Sequence, residues 1–101
     1  MVYSIHFSAE ALTDQESIVL YLVDSLGNRE AARHFIDELE KIVSALEKTP
    51  GAFPFSHDAR LKSLKYQKAL FMNYVLLFRV EGEMVYLARI FHQSQDYAKL
   101  I

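Results

Sequence analysis

Cysteine is absent from the 101 residues, and glycine and proline are scarce, with three and two copies. Without thiols the chain has neither a disulfide framework nor a thiolate metal site, so nothing in it requires an oxidising compartment. The few glycines and prolines argue against a disordered chain, and a hydrophobic content of 51% favours a compact fold. At this length the sequence predicts one domain over residues 1–101.

Long apolar runs are also missing. No stretch approaches the roughly 18 apolar residues of a membrane-spanning helix, and the start MVYSIHF lacks the basic residues of a secretory signal. We therefore expect a cytoplasmic protein without a membrane partner. The four histidines show no metal-ligand spacing and have no cysteine beside them, so the sequence predicts no metal and no other cofactor.

Basic residues are not in excess, because the formal net charge is −2. The two halves differ in sign: residues 1–56 carry four Lys/Arg against nine Asp/Glu, whereas residues 57–101 carry seven against four. A nucleic-acid-binding domain of this size is usually basic overall, since neutralising phosphates supplies most of its affinity. The charge pattern therefore predicts at most a local basic patch.

Hydrophobic periodicity predicts a strand followed by two helices in the first half. The alternating stretch Val2–Phe7 is rich in β-forming residues, and Ser8 follows it at the position of a helix N-cap. This first helix ends at Gly27, and Asn28 caps a second one with apolar residues at i, i+3, i+4 and i+7. Only one or two residues separate the helices, so they should form an antiparallel hairpin.

Three β-like runs follow the loop that begins at Pro50, at about residues 61–70, 73–80 and 84–92. A tight-turn signal, Glu81-Gly82-Glu83, joins the last two. The order βααβββ predicts an α+β fold, with the helical hairpin packed on one face of a predominantly antiparallel sheet.

With Glu81 and Gly82 as the two loop residues, side-chain alternation sorts the last two strands onto two faces. Arg89 falls on the helix-facing side, where we expect a carboxylate of either helix to pair with it. The opposite, open face is still apolar, and we predict that it binds a protein partner. The predicted partner-binding residues are Val75, Leu77, Tyr86, Ala88 and Ile90.

Several segments in this order resemble the RelE/ParE superfamily of bacterial toxins from type II toxin-antitoxin modules. They are FSAEAL near the start, NREAARHFIDEL in the second helix, the strand NYVLLFRV and the closing VYLARIFHQSQDY. The resemblance covers nearly the whole chain and rests on the combination of segments, since none is diagnostic alone. It implies the βααβββ fold and an antitoxin as partner, with a homodimer or a toxin-antitoxin hetero-oligomer as assembly.

The superfamily implies two activities. RelE-like members are ribosome-dependent endoribonucleases that cut mRNA, which needs a base, an acid and cations around the scissile phosphate. In this chain the matching set reduces to His92, Lys65, Lys68 and Tyr97, because Val75 and Gln93 occupy positions where such ribonucleases carry ionisable groups. ParE-like members lack the catalytic set and poison DNA gyrase.

We therefore expect a ParE-like toxin that inhibits growth by binding a host target such as DNA gyrase, contributes to plasmid stabilisation, and is neutralised by a cognate antitoxin. One alternative is an mRNA endoribonuclease with a degenerate active site, whose partners would be the translating ribosome and mRNA. The other is a non-toxic protein-interaction module of the same fold.

Overall fold

A computed structural model describes residues 2–101 and has an α+β fold, with helices packed on a four-stranded mixed sheet. The fold class and the order of the elements agree with the sequence analysis. The strands are β1 Ser4–Phe7, β2 Gln67–Phe71, β3 Tyr74–Glu81 and β4 Met84–His92, and the α-helices are α1 Ala9–Leu20, α2 Arg29–Lys48 and α3 Ala59–Ser63. Short helical turns lie at Tyr21–Ser25 (π), Pro50–Ala52 and Tyr97–Leu100 (both 3-10).

Side-chain caps fix where the two long helices begin. The Ser8 hydroxyl accepts a hydrogen bond from the Ala11 N–H (2.9 Å), and the Asn28 side chain accepts one from the Ala31 N–H (2.9 Å). Gly27 adopts φ +58, a left-handed conformation that costs glycine nothing and that reverses the chain between the helices. The predicted hairpin therefore forms, although α1 passes into the π turn before it ends.

The sheet has the strand order β1-β4-β3-β2, with β1 parallel to β4 and the other pairs antiparallel. The predicted strand over residues 61–70 is wrong in its first half, which forms α3. Asp58 caps this helix by accepting a hydrogen bond from the Leu61 N–H (2.9 Å), and burial of Leu61 holds the helix against the sheet. No helix within residues 2–101 is long and apolar enough to cross a membrane.

The predicted register of the β3–β4 hairpin is also wrong, for two reasons. The turn consists of Gly82 and Glu83, one residue later than predicted, because Gly82 supplies the positive φ (+58) that the first turn position needs. In addition Phe78 pairs with Leu87 whereas Leu77 pairs with Arg89, so Ala88 is an extra residue in β4. Such a β-bulge exchanges the faces of all side chains that follow it.

Two apolar cores lie on opposite faces of the sheet. We call the face under α1 and α2 the helix face, and the main core there includes Phe35, Leu39, Leu46, Phe78 and Leu87. We call the opposite one the second face. A smaller core on it is formed by Leu61, Val75, Leu77 and Phe91, with Tyr66, Tyr97, Ala98 and Ile101 packed against it.

Candidate functional site

The bulge at Ala88 is held by two side chains, Ser8 at the N-cap of α1 and Asp14 within it. The Ser8 hydroxyl donates a hydrogen bond to the Ala88 carbonyl (2.7 Å). Asp14 accepts hydrogen bonds from Arg89 Nε (2.8 Å) and Nη2 (3.0 Å) and from the Ile90 N–H (2.9 Å). These hydrogen bonds fix the bulge in place, and with it the exchange of faces for the side chains that follow Ala88 in β4.

The expected pairing of Arg89 with a helix carboxylate is confirmed by this bidentate contact with Asp14. The hydrogen bond from Asp14 raises the pKa of Arg89 above its ordinary value, against the opposing effect of burial. The guanidinium also lies 4.5 Å from the centre of the Phe91 ring. Arg89 is thus occupied by internal contacts and offers no free cation to a substrate.

His92 lies at the end of β4 and pairs with Tyr74, whose ring packs against the main core. The two rings are 5.7 Å apart in an edge-to-face arrangement, and His92 Nδ1 lies 2.7 Å from the Ser94 hydroxyl. Side-chain alternation without a bulge predicts that His92 shares a face with Val75 and Leu77. This prediction is wrong, because the bulge turns the histidine to the helix face.

The other three candidate ribonuclease residues lie elsewhere. Lys68 pairs with Leu77 and therefore projects from the second face, where only 9% of it is exposed. Tyr97 stacks on Phe91 on that same face, with ring centres 5.8 Å apart. Lys65 is exposed in the turn before β2 and has φ +66. The structure therefore places His92 on one face of the sheet and Lys68 and Tyr97 on the other.

Three of the five predicted partner-binding residues are buried, so the expectation that they form an exposed surface is wrong. Val75 and Leu77 have no exposed area and Ile90 is 2% exposed. The segment after β4 and α3 cover Val75 and Leu77, whereas the bulge turns Ile90 into the main core. Ala88 is half-buried in the bulge, and Tyr86, at 38% exposed, still faces solvent.

Arg60 fastens the C-terminal segment over the smaller core. Its Nη2 atom donates hydrogen bonds to the carbonyl oxygens of Ala98 and Ile101, the second at 2.7 Å. Sequence reasoning missed this role, because nothing in the run ARLKS indicates that an arginine of a short helix meets residues 38 and 41 positions further on. The C-terminal segment covers the smaller core because of this tertiary contact, which local sequence does not predict.

The helical hairpin carries part of the apolar surface that remains exposed. Leu12 and Leu20 of α1 are 51% and 55% exposed, and both line a groove of about 490 Å³ that Ile36 of α2 closes. A second groove of about 400 Å³ runs between α2 and the edge of β1. The charged residues that line the two grooves are all acidic: Glu16, Glu40 and Glu47.

Residues 2–101 bring no three His, Cys, Asp or Glu side chains together in a geometry that would hold a metal ion.

Comparison with known proteins identifies the class. The family model of the ParE toxin of the type II toxin-antitoxin system, parDE, matches residues 5–97. The chain belongs to this family, and it is a ParE-type toxin of a toxin-antitoxin system. No curated protein sequence is significantly similar to it.

Two solved structures share the fold. A chain of the chromosomal ParDE toxin-antitoxin system from P. aeruginosa superposes with a TM-score of 0.70 at 18% identity, covering 90% of this chain and 96% of that one. A chain of the toxin-antitoxin complex RelBE2 from Mycobacterium tuberculosis superposes with a TM-score of 0.61 at 17% identity, covering 91% and 99%. At these identities the likeness establishes the fold alone.

Proposed function

We propose that this ParE-family toxin acts in the cytoplasm by binding a host protein, DNA gyrase, and that it does not cleave RNA. The observation that carries the proposal is the separation of His92 from Lys68 and Tyr97 by the thickness of the sheet. Cleavage by a ribose 2′-hydroxyl needs a base and cationic donors around one phosphate. In this chain His92 lies on the helix face and Lys68 on the second face, so they cannot surround one phosphate.

Two further positions support the same conclusion. Val75 is fully buried in the smaller core, so that position presents no group to a substrate. The Gln93 amide donates hydrogen bonds to the carbonyl oxygens of Met72 (3.3 Å) and Tyr74 (3.1 Å). It therefore closes the end of the β3–β4 hairpin and supplies no acid or base. An mRNA endoribonuclease with a degenerate site remains the second candidate, carried by Lys68 and Tyr97 on one face.

Neutralisation by a cognate antitoxin is the second part of the proposal. Both similar structures are named as toxin-antitoxin systems, and the exposed grooves of the helical hairpin provide a surface for such a partner here. Because the grooves are apolar with acidic rims, the docking segment should carry apolar anchors between Lys or Arg residues. The predicted site on Val75, Leu77 and Ile90 is unavailable while those side chains are buried.

A supercoiling assay with purified DNA gyrase tests the first part. The proposal predicts that the purified protein inhibits supercoiling in a dose-dependent way, and that His92→Ala inhibits equally, because His92 has no catalytic role. Full gyrase activity at a large excess of folded protein would contradict the target assignment.

Titration calorimetry with the co-purified product of the adjacent reading frame tests the second part. Leu20→Glu places a charge in the apolar groove and should weaken binding at least about tenfold, the equivalent of about 1.4 kcal/mol. Leu64→Glu is the matched control, because Leu64 is 44% exposed beside α3, on the other side of the sheet. Equal affinity of both variants and the wild type would remove the helical hairpin as the antitoxin site.

A further inference from the structure

Lys68 has a largely buried side chain whose ammonium group reaches solvent without a partner among residues 2–101. It is 9% exposed, and its ammonium group makes neither an ion pair nor a hydrogen bond with any residue between 2 and 101. Burying a charge is costly unless an opposite charge or hydrogen-bond acceptors compensate it. The aliphatic stem can pack beside Leu77 while the ammonium group reaches towards the surface. The ammonium group is therefore accessible to an anion from outside the chain.

Arg79 is a second under-used cation on the same face. It lies two residues from Leu77, its guanidinium sits 5.6 Å from the centre of the Tyr66 ring, and its Nε atom is buried without a hydrogen-bond partner. The nearest carboxylate is that of Glu81, 3.6 Å from Nη2, in a pair whose side chains are 40% and 60% exposed. Such an exposed, long contact contributes little. Arg79 therefore keeps donors available.

The two cations are diagonal neighbours on adjacent strands, because Lys68 pairs with Leu77 and Arg79 follows Leu77 by two residues. Diagonal neighbours have Cβ atoms about 7–8 Å apart. Side chains at i and i+2 of an extended peptide project to one side and are about 6.5–7 Å apart. Two carboxylates at alternate positions of a strand therefore match the spacing of Lys68 and Arg79.

We propose that Lys68 and Arg79 form an anion-binding site for an extended segment of a protein partner that carries two Asp or Glu residues at alternate positions. The inference rests on the proposed function, since a toxin that acts by binding proteins needs recognition surfaces beyond the antitoxin groove. Tyr86 pairs with Arg79 and is 38% exposed, and Leu70 of β2 is 54% exposed. These side chains provide apolar contacts for residues that flank the carboxylates.

Charge favours a protein segment over a nucleic acid. Nucleic-acid affinity comes from many phosphate contacts, whereas this site consists of two cations and the chain as a whole carries −2. A short segment with two carboxylates matches the number of these cations, whereas a polyanion needs many more contacts.

Calorimetric titration of the purified protein with two synthetic peptides tests the site. One is an eight-residue strand of threonine and valine with glutamates at two alternate positions, and the other has glutamines there. We expect saturable binding of the glutamate peptide that weakens with added salt. Replacing both glutamates by glutamine, or introducing Lys68→Met into the protein, should lower the affinity about tenfold to hundredfold. This is the effect of losing one or more charge-assisted hydrogen bonds.

Lys48→Met is the matched control, because it removes one positive charge from an exposed position at the end of α2 and should leave binding unchanged. Arg79→Gln provides a second test at the site and should weaken binding in the same range. Equal binding of the two peptides, or equal losses for Lys48→Met and Lys68→Met, would overturn the proposal. A ten-nucleotide RNA that binds more tightly than the peptide and is lost in Lys68→Met would reassign the face to nucleic acid.

Thermal unfolding gives an independent check on the missing partner. Lys68→Met removes a charge that has no partner within residues 2–101 and keeps an apolar stem of similar length, so its melting temperature should equal or exceed that of the wild type. A clear decrease would show that the ammonium group has a partner within the chain, which overturns the site. The peptide experiment does not depend on toxicity, so a failure of the proposed gyrase target remains distinguishable from a failure of this inference.

Discussion

Asp14→Ala should destabilise the protein strongly, because this one carboxylate joins α1 to β4 beside the bulge. The substitution removes three hydrogen bonds and leaves the Arg89 guanidinium without its carboxylate. Removing one partner from a buried ion pair costs about 3–5 kcal/mol. Since the side chains of Arg89 and Asp14 keep 28% and 14% exposure, water offsets part of that loss. We expect the free energy of unfolding to fall by about 2–4 kcal/mol.

Urea unfolding followed by circular dichroism at neutral pH measures this change. Asp14→Asn keeps an acceptor for the Ile90 N–H but loses the charge, so its loss should be smaller than that of Asp14→Ala. Asp37→Ala is the control, because Asp37 is exposed on α2 and should change stability by less than about 0.5 kcal/mol. If Asp14→Ala costs no more than Asp37→Ala, the anchoring role assigned to the pair is wrong.

Three further expectations follow from the packing and the site. Leu39→Ala should lower the free energy of unfolding by about 2–5 kcal/mol, because Leu39 is 3% exposed in the main core; an unchanged urea midpoint would refute the packing. Burial raises the pKa of Tyr74 above its ordinary 10.0, with Tyr21 adding to the effect. The stability that this shift contributes is present below pH 10 and is lost as pH rises through the folded-state pKa. The free energy of unfolding of Tyr74→Phe should therefore decline less steeply than that of the wild type between about pH 9 and about pH 11. Identical slopes for the two proteins would contradict the assignment. His92→Ala should keep full toxicity on induced expression, and its loss in a folded variant would favour the ribonuclease.

The sequence predicted the features that depend on local patterns. Caps at Ser8 and Asn28, the apolar stripe around Phe35 and Leu39, and the β-rich runs at the end are enough to define the α+β class and the order of its elements. The partner of Arg89 was predictable in kind, since a partly buried cation needs a carboxylate, but its predicted helix-facing position is wrong because the bulge places Arg89 opposite Leu77 on the second face. Which carboxylate it meets depends on the packing of α1 against β4.

The errors arose where tertiary contacts overrule local pattern. Ala88 carries no signal of a bulge, because the extra residue is stabilised by Ser8 and Asp14, which lie more than 70 positions earlier. A single extra residue moved Ile90 and His92 to the helix face. The run LKSLKYQKAL was predicted to be one strand, yet the Asp58 cap and the burial of Leu61 make its start helical.

Burial of Leu77 limits the substitutions that can map an interface on the second face. Substitutions such as Leu77→Glu are unsuitable for mapping an interface, because Leu77 has no exposed area and a carboxylate there would enter the smaller core. Exposed positions such as Leu20 and Leu64 test surfaces without that complication.

Induced expression with parallel measurement of DNA breaks and of mRNA ends on translating ribosomes distinguishes gyrase poisoning from mRNA cleavage. With gyrase as the target, we expect growth to stop while DNA breaks and gyrase–DNA complexes accumulate, the pattern of mRNA ends to stay unchanged, and His92→Ala to behave in the same way. New mRNA ends that appear without DNA breaks, and that disappear in Lys68→Met or His92→Ala, would contradict gyrase poisoning.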